Sequence, residues 1–158
     1  MILKSSDDLK NLLLNKCENA LKKVQDKVYR IIDSCLNEFY DEFTPAEYIR
    51  TKQLLYSLVK SEVRQINNEV VAEVYFDVSK LNYDQGLVPL KNGGYGWATW
   101  DGNTVLDVAM TGSYGGKPHG GYATGTAVWT ESMIKIGGRD GIIESLKQAL
   151  ISEGIPIK

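Results

Sequence analysis

DLKNLLLNKCENALKKVQDKVYRIIDSCLNEF, residues 8–39, contains neither glycine nor proline, and apolar side chains recur in it at Leu9, Leu13, Cys17, Ala20, Val24, Val28, Ile31, Cys35 and Phe39. Steps of three and four residues set these positions on one side of an α-helix. Leu12, Leu21, Ile32 and Leu36 widen the stripe beyond the narrow seam of a two-stranded coiled coil, so packing on a sheet or in a ring is expected. Ser6, followed by Asp7 and Asp8, offers a start at which acidic groups meet the positive end of the helix. At 1.5 Å per residue the helix runs about 45–50 Å. That is longer than a domain of this size, so either part of the stripe covers a neighbouring subunit or a kink folds the helix back.

Downstream, Pro45 drives Thr44 toward extended geometry and ends the helical pattern. Tyr48-Ile49-Arg50-Thr51 then leads into Leu54, Leu55 and Leu58, a short helix or turn with apolar groups for the core, and Arg50 reads as a structural holder of a carboxylate or carbonyl. Val59, Ser61, Val63 and Gln65 alternate with charged residues, and Val70, Ala72, Val74, Phe76 and Val78 return with the same period of two. Asn67-Asn68 between them predicts a hairpin in preference to a helix continued from Leu54 to Ile66. Glu62, Glu73 and Asp77 fall on its solvated faces.

All 15 glycines lie at or after Gly86. Residues 82–103, NYDQGLVPLKNGGYGWATWDGN, combine turn-permitting glycines with Tyr83, Tyr95, Trp97 and Trp100. Such a segment either grips a partner or roofs a small core. Val105 to Met110 reads as a strand, and TGSYGGKPHGGYATGTAVW, residues 111–129, as a long loop with Tyr114, His119 and Tyr122, ending in a strand over Ala123 to Trp129. Residues 82–122 together suggest an extended loop or arm. Gly-Gly-Lys-Pro lacks both the spacing of a phosphate loop and the hydroxyl residue after its lysine. From Gly141, with Asp140 as a cap, Ile142, Ile143, Leu146, Ala149 and Leu150 mark a terminal helix stopped by Gly154 and Pro156.

The length of 158 residues predicts one domain spanning 1–158, and 43% apolar residues suit an ordinary globular chain. The early run Leu12–Leu14 is broken by charges long before a bilayer is spanned, and no signal peptide is expected, which points to folding in a cytoplasm. Residues 1–85 carry 12 basic and 14 acidic side chains and residues 86–158 six of each, so no basic surface for nucleic acid is evident. Cys17 and Cys35, eighteen residues apart on one helix, read as small buried hydrophobes. His119 is the single histidine, with Asp107, Glu131 and Asp140 as its only candidate carboxylate companions; with no ligand set for a metal, neither catalysis nor a cofactor is expected. Tyr95, Trp97 and Trp100 leave open a carbohydrate or cell-wall binding module, since such rings stack on sugars.

Pro45-Ala46-Glu47-Tyr48-Ile49-Arg50-Thr51 with Leu54 and Ser57, the hairpin, His119-Gly120-Gly121, Trp129 and the helix from Leu146 to Gly154 occur in the order seen in a known family. The arrangement resembles the gp10-like tail-completion or neck family of long-tailed bacteriophages, in the form found in phages and prophages of Gram-positive bacteria. The resemblance implies an α+β fold in which the long N-terminal helix and the C-terminal helix pack on a small antiparallel sheet. It also implies a virion structural protein at the head-tail joint or tail-tube end, an oligomeric ring component assembled in the host cytoplasm and contacting connector or tail proteins. On this sequence Pro45, Tyr48, Arg50 and Thr51 would form the turn supporting the hairpin. Tyr83, Tyr95, Trp97, Trp100, Tyr114, His119 and Tyr122 would supply the interface. The familiar proline-threonine-glycine turn is replaced here by Tyr48-Ile49-Arg50-Thr51.

Overall fold

The computed structural model describes residues 5–42, 52–81, 87–89, 95–97, 102–111, 113–114, 117–118 and 128–157. The fold is α+β. In chain order it comprises α1 (Ser6–Glu42), α2 (Gln53–Ser57), β1 (Leu58–Lys60), β2 (Arg64–Ile66), β3 (Glu69–Val71), β4 (Val74–Phe76), a 3-10 turn (Val78–Lys80), β5 (Leu87–Pro89) and β6 (Tyr95–Trp97). It continues with α3 (Gly102–Thr111), β7 (Ser113–Tyr114), β8 (Lys117–Pro118), α4 (Val128–Ile136) and α5 (Gly138–Ser152). The strands pair two by two, β1 with β4, β2 with β3, β5 with β6 and β7 with β8. The chain forms two compact units, each assembled from separated segments: residues 1–30, 60–74 and 135–158, and residues 31–59 and 75–134.

The 37 residues of α1 run as one helix, about 55 Å of it at the standard rise. The helix starts at Ser6, as expected, and the residue before it caps it: the Ser5 hydroxyl oxygen accepts the Asp8 N–H at 3.1 Å. In the first unit Ala20 and Val24 meet Ala149 of α5, and Val28, Ile142, Leu146 and Leu150 pack around them. Small residues at the centre let the two helices approach closely. Helix α5 starts three residues before the expected Gly141, placing Asp140 in the first turn, and ends in a Schellman turn. Gly154, at φ 77°, donates to the Ile151 carbonyl oxygen, and Ile155 donates to that of Leu150.

The same unit holds the hairpin. Arg64 pairs with Val71, Gln65 with Val70 and Ile66 with Glu69, and Asn67 turns the chain at φ 57°. Below this ladder the Ser61 N–H donates to the Glu73 carbonyl oxygen. Glu62 and Val63 therefore stand opposite the single residue Ala72, a β-bulge that splits each long predicted strand into two short ones.

In the second unit Ile32, Cys35, Leu36, Leu54, Ser57, Leu58, Leu81, Val128 and Ser132 are buried. Asp77 opens the 3-10 turn by accepting both the N–H and the hydroxyl of Ser79 at its Oδ1. Gly102 sits against that turn: a Cβ there would meet the Val78 carbonyl oxygen at 2.7 Å. Two strand expectations are corrected here. Val105 to Met110 belongs to helix α3, in which Gly102, Leu106 and Met110 are half-buried at steps of four while Asn103 and Asp107 are exposed. A short run apolar on both faces does not separate the two periods. Val128 and Trp129 open helix α4, where Val128 and Ser132 share the buried side; residues 123–127 lie outside the described residues.

Candidate assembly interface

The polar framework of the first unit fixes how far α1 extends past α5. Lys16 Nζ donates to the Glu153 carbonyl oxygen at 2.7 Å, placing a cation on the negative end of α5. Lys23 Nζ donates to Glu153 Oε1 at 2.5 Å and to the Ser152 hydroxyl at 2.9 Å, and Asn19 Nδ2 reaches Oε2 at 3.5 Å. The hydrogen bond from Lys23 holds the Glu153 carboxyl below its ordinary range against the opposing effect of burial. Farther along α1, Lys27 Nζ donates to the Ser145 hydroxyl. The two helices are thus antiparallel, with Lys16 already opposite the residue that follows α5.

On another side of α1, the buried Gln25 Nε2 donates to the carbonyl oxygens of Ser61 and Glu73, 2.9 Å each. It thereby anchors the hairpin at its bulge, where the ladder is interrupted. Lys60 pairs with Asp26 and lies 5.6 Å from the centre of the Tyr29 ring. Its hydrogen bond is the main cause of the lowered Asp26 pKa. Gln65 Nε2 bonds Glu18 Oε2 at 3.1 Å and Asn15 Oδ1 at 3.4 Å.

These contacts leave one apolar surface of α1 uncovered. Leu9 and Leu13 lie on the same side as Ala20 and Val24, but N-terminal to Lys16 and so past the end of α5. They are 45% and 42% exposed, whereas Ala20 and Val24 are 0% and 6%. Among the described residues of the second unit the exposed large apolar groups are Tyr56, Tyr75, Trp129 and Ile134.

Of the interface residues expected from sequence, Tyr95 and Trp97 lie on β6, in register with Pro89 and Leu87 of β5. Tyr114 lies on β7 opposite Lys117. The glycine-aromatic segment therefore carries two short antiparallel pairs. Tyr83, Trp100, His119 and Tyr122, and the turn residues Pro45, Tyr48, Arg50 and Thr51, lie outside the described residues. The short helix expected after that turn is α2, with Leu54 and Ser57 buried. Sequence reading missed Gln25: a polar residue beside the apolar stripe carries no mark of the hairpin it will hold.

A groove of about 370 Å³ runs between α1 and α5, floored by Val24 and Ala149 and flanked by Lys23, Lys27, Glu144, Ser145 and Gln148. Among the described residues no group of three His, Cys, Asp or Glu side chains is placed to hold a metal ion. Cys35 is buried and Cys17 half-buried, and neither forms a disulfide. No described helix is long and apolar enough to cross a membrane.

A family model described as YomN matches residues 5–152, a span that includes α1, the hairpin and α5. No curated protein and no solved structure matches the chain.

Proposed function

The chain belongs to the YomN family, associated with Bacillus phages and prophages, and from this phage-related origin we propose that it is a virion structural protein of the head-tail joint or tail-tube end. It works as a ring component, not as an enzyme, and meets connector or tail proteins in the assembled particle. The observation that carries this reading is the unmatched length of α1 and α5. The α1 stripe that packs on α5 continues to Leu9 and Leu13, where no α5 residue remains to cover it. An apolar helix face past the end of its in-chain partner suits a contact made on assembly. A ring built from many such contacts needs each to be only modest, because closure by symmetry makes them cooperative.

Light scattering over a range of concentrations, on the protein alone and mixed with the products of neighbouring genes, tests the proposal. A discrete ring or a stable complex is expected. Leu9→Ser with Leu13→Ser should weaken that association on the order of tenfold or more while leaving the circular dichroism and melting temperature nearly unchanged. A protein that ignores those neighbours but binds cell-wall glycans would instead favour the carbohydrate-binding alternative.

A further inference from the structure

The first unit gathers cations that a near-neutral composition hides. Lys16, Lys23, Lys27 and Arg30 recur at steps of seven, four and three residues and so share one side of α1, over about 21 Å of helix. Lys22 lies one turn before Asp26 on the adjoining side, and the hairpin adds Lys60, whose ammonium pairs with Asp26. Lys22, Lys23, Lys27, Arg30 and Lys60 are exposed. Against these six cations stand three carboxylates: Asp26, held by Lys60; Glu153, held by Lys23; and Glu144, on the flank of the groove beside Lys27. An excess of three positive charges therefore remains on this strip. Lys22 and Arg30 join no ion pair among the described residues, and both still help to hold the Asp26 carboxyl below its ordinary range after the stronger effect of Lys60.

We propose that this strip binds the phosphate backbone of duplex DNA without reading its sequence. The kind of occupant follows from the make-up of the surface. Residues 16, 19, 22, 23, 26, 27 and 30 are all polar, whereas a protein-docking surface has an apolar centre and few lysines. Proteins that hold single strands stack the bases on exposed rings. Tyr29, the ring beside Lys60, is half-buried and already engaged by that lysine. A row of ammonium groups on a rigid helix suits phosphates that recur regularly along a duplex, and each contact releases a condensed counterion. Lys60 is the group that sequence order conceals, since the Gln25 anchor and the bulge bring the hairpin to this part of α1. The proposal goes beyond the ring reading and does not depend on it, because the apolar contact at Leu9 and Leu13 lies N-terminal to the strip.

The test measures fluorescence anisotropy of a labelled mixed-sequence duplex of about 20 base pairs as the full chain is added, between about 50 and 200 mM salt. Binding should weaken with salt along a log–log slope of about −3, close to one unit for each phosphate neutralised. Lys22→Gln with Arg30→Gln should weaken binding on the order of tenfold at low salt and reduce the slope by about two. Arg139→Gln with Lys147→Gln removes the same charge from exposed positions of α5 that do not line the groove, and should change binding by no more than about twofold. Melting curves first establish that both variants fold. Absence of duplex binding at low salt, equal losses in the two variants, or tighter binding of a single strand than of the duplex would each overturn the proposal. So would binding of phosphatidylglycerol vesicles, or of an acidic virion neighbour, through Lys22 and Arg30 in a protein that ignores the duplex. Each of these results leaves a ring held by Leu9 and Leu13 standing.

Discussion

The two units are stabilised by different physics. Among the described residues the largest fully buried side chains, Leu36, Leu81, Val128, Cys35, Ser57 and Ser132, all fall in the second unit, where the buried hydroxyls of Ser57 and Ser132 turn back to the carbonyl oxygens of Leu54 and Val128. The first unit centres instead on Ala20, Val24 and Ala149. Its distant segments are tied by polar groups of α1: Lys16, Asn19, Lys23, Gln25 and Lys27 each reach a residue far away in sequence. A small-residue core buries little apolar area, so correct placement there depends more on directional bonds. The unit with the weaker apolar core is also the one whose helix stripe is left for a partner.

The sharpest way to break this contrast is a cavity in the second unit. Leu81 is fully buried beside the 3-10 turn and Gly102, and Leu81→Ala should cost about 2–5 kcal/mol. Among the described residues the tryptophans, Trp97 and Trp129, lie in that unit, so their fluorescence follows its unfolding while circular dichroism follows the helices of both. The fluorescence midpoint in denaturant should fall by the larger amount. An unchanged midpoint would remove apolar burial as the main support of the second unit.

Next in size is the hairpin anchor of the first unit. Gln25→Ala removes both bonds to the bulge and leaves the Ser61 carbonyl without the donor that satisfies it, a loss of about 1–3 kcal/mol. The circular dichroism midpoint should move more than the tryptophan midpoint if the units unfold separately, and equally if they unfold as one. Wild-type stability in the variant would show that the hairpin stays in place without α1.

Sequence periodicity revealed α1 because its stripe persists through many turns without interruption, and α5 because a glycine and a proline follow it. The hairpin tip was legible from Asn67-Asn68, but the bulge was not. Period two persists on both sides of Glu62-Val63, and only the pairing partner shows that an extra residue has entered. Val105 to Met110 misled because Val, Leu, Ala and Met satisfy a strand or a helix equally until burial reveals Asn103 and Asp107 outside. Leu9 and Leu13 were legible only as part of a stripe too long for one domain.

The smallest expected effect, and the one most specific to the polar unit, is its response to acid. Glu153 is lowered from 4.5 chiefly by the hydrogen bond from Lys23, and Asp26 from 3.8 chiefly by that from Lys60. Because folding favours the charged form of both, their contribution is complete above these ordinary values and is lost as the pH falls through the lower folded-state pKa values. Asp77 gives the second unit a similar acid response, but through the local Ser79 bonds and not through a link between distant segments. Glu153→Gln should therefore lower the melting temperature by a few degrees at neutral pH and flatten its decline in acid, leaving the Asp77 and Asp26 contributions. Parallel declines for Glu153→Gln and the original chain would mean that the Lys23 contact contributes nothing to joining α1 and α5. In that case the apolar contacts of Ala20, Val24 and Ala149 would have to fix the helix register alone.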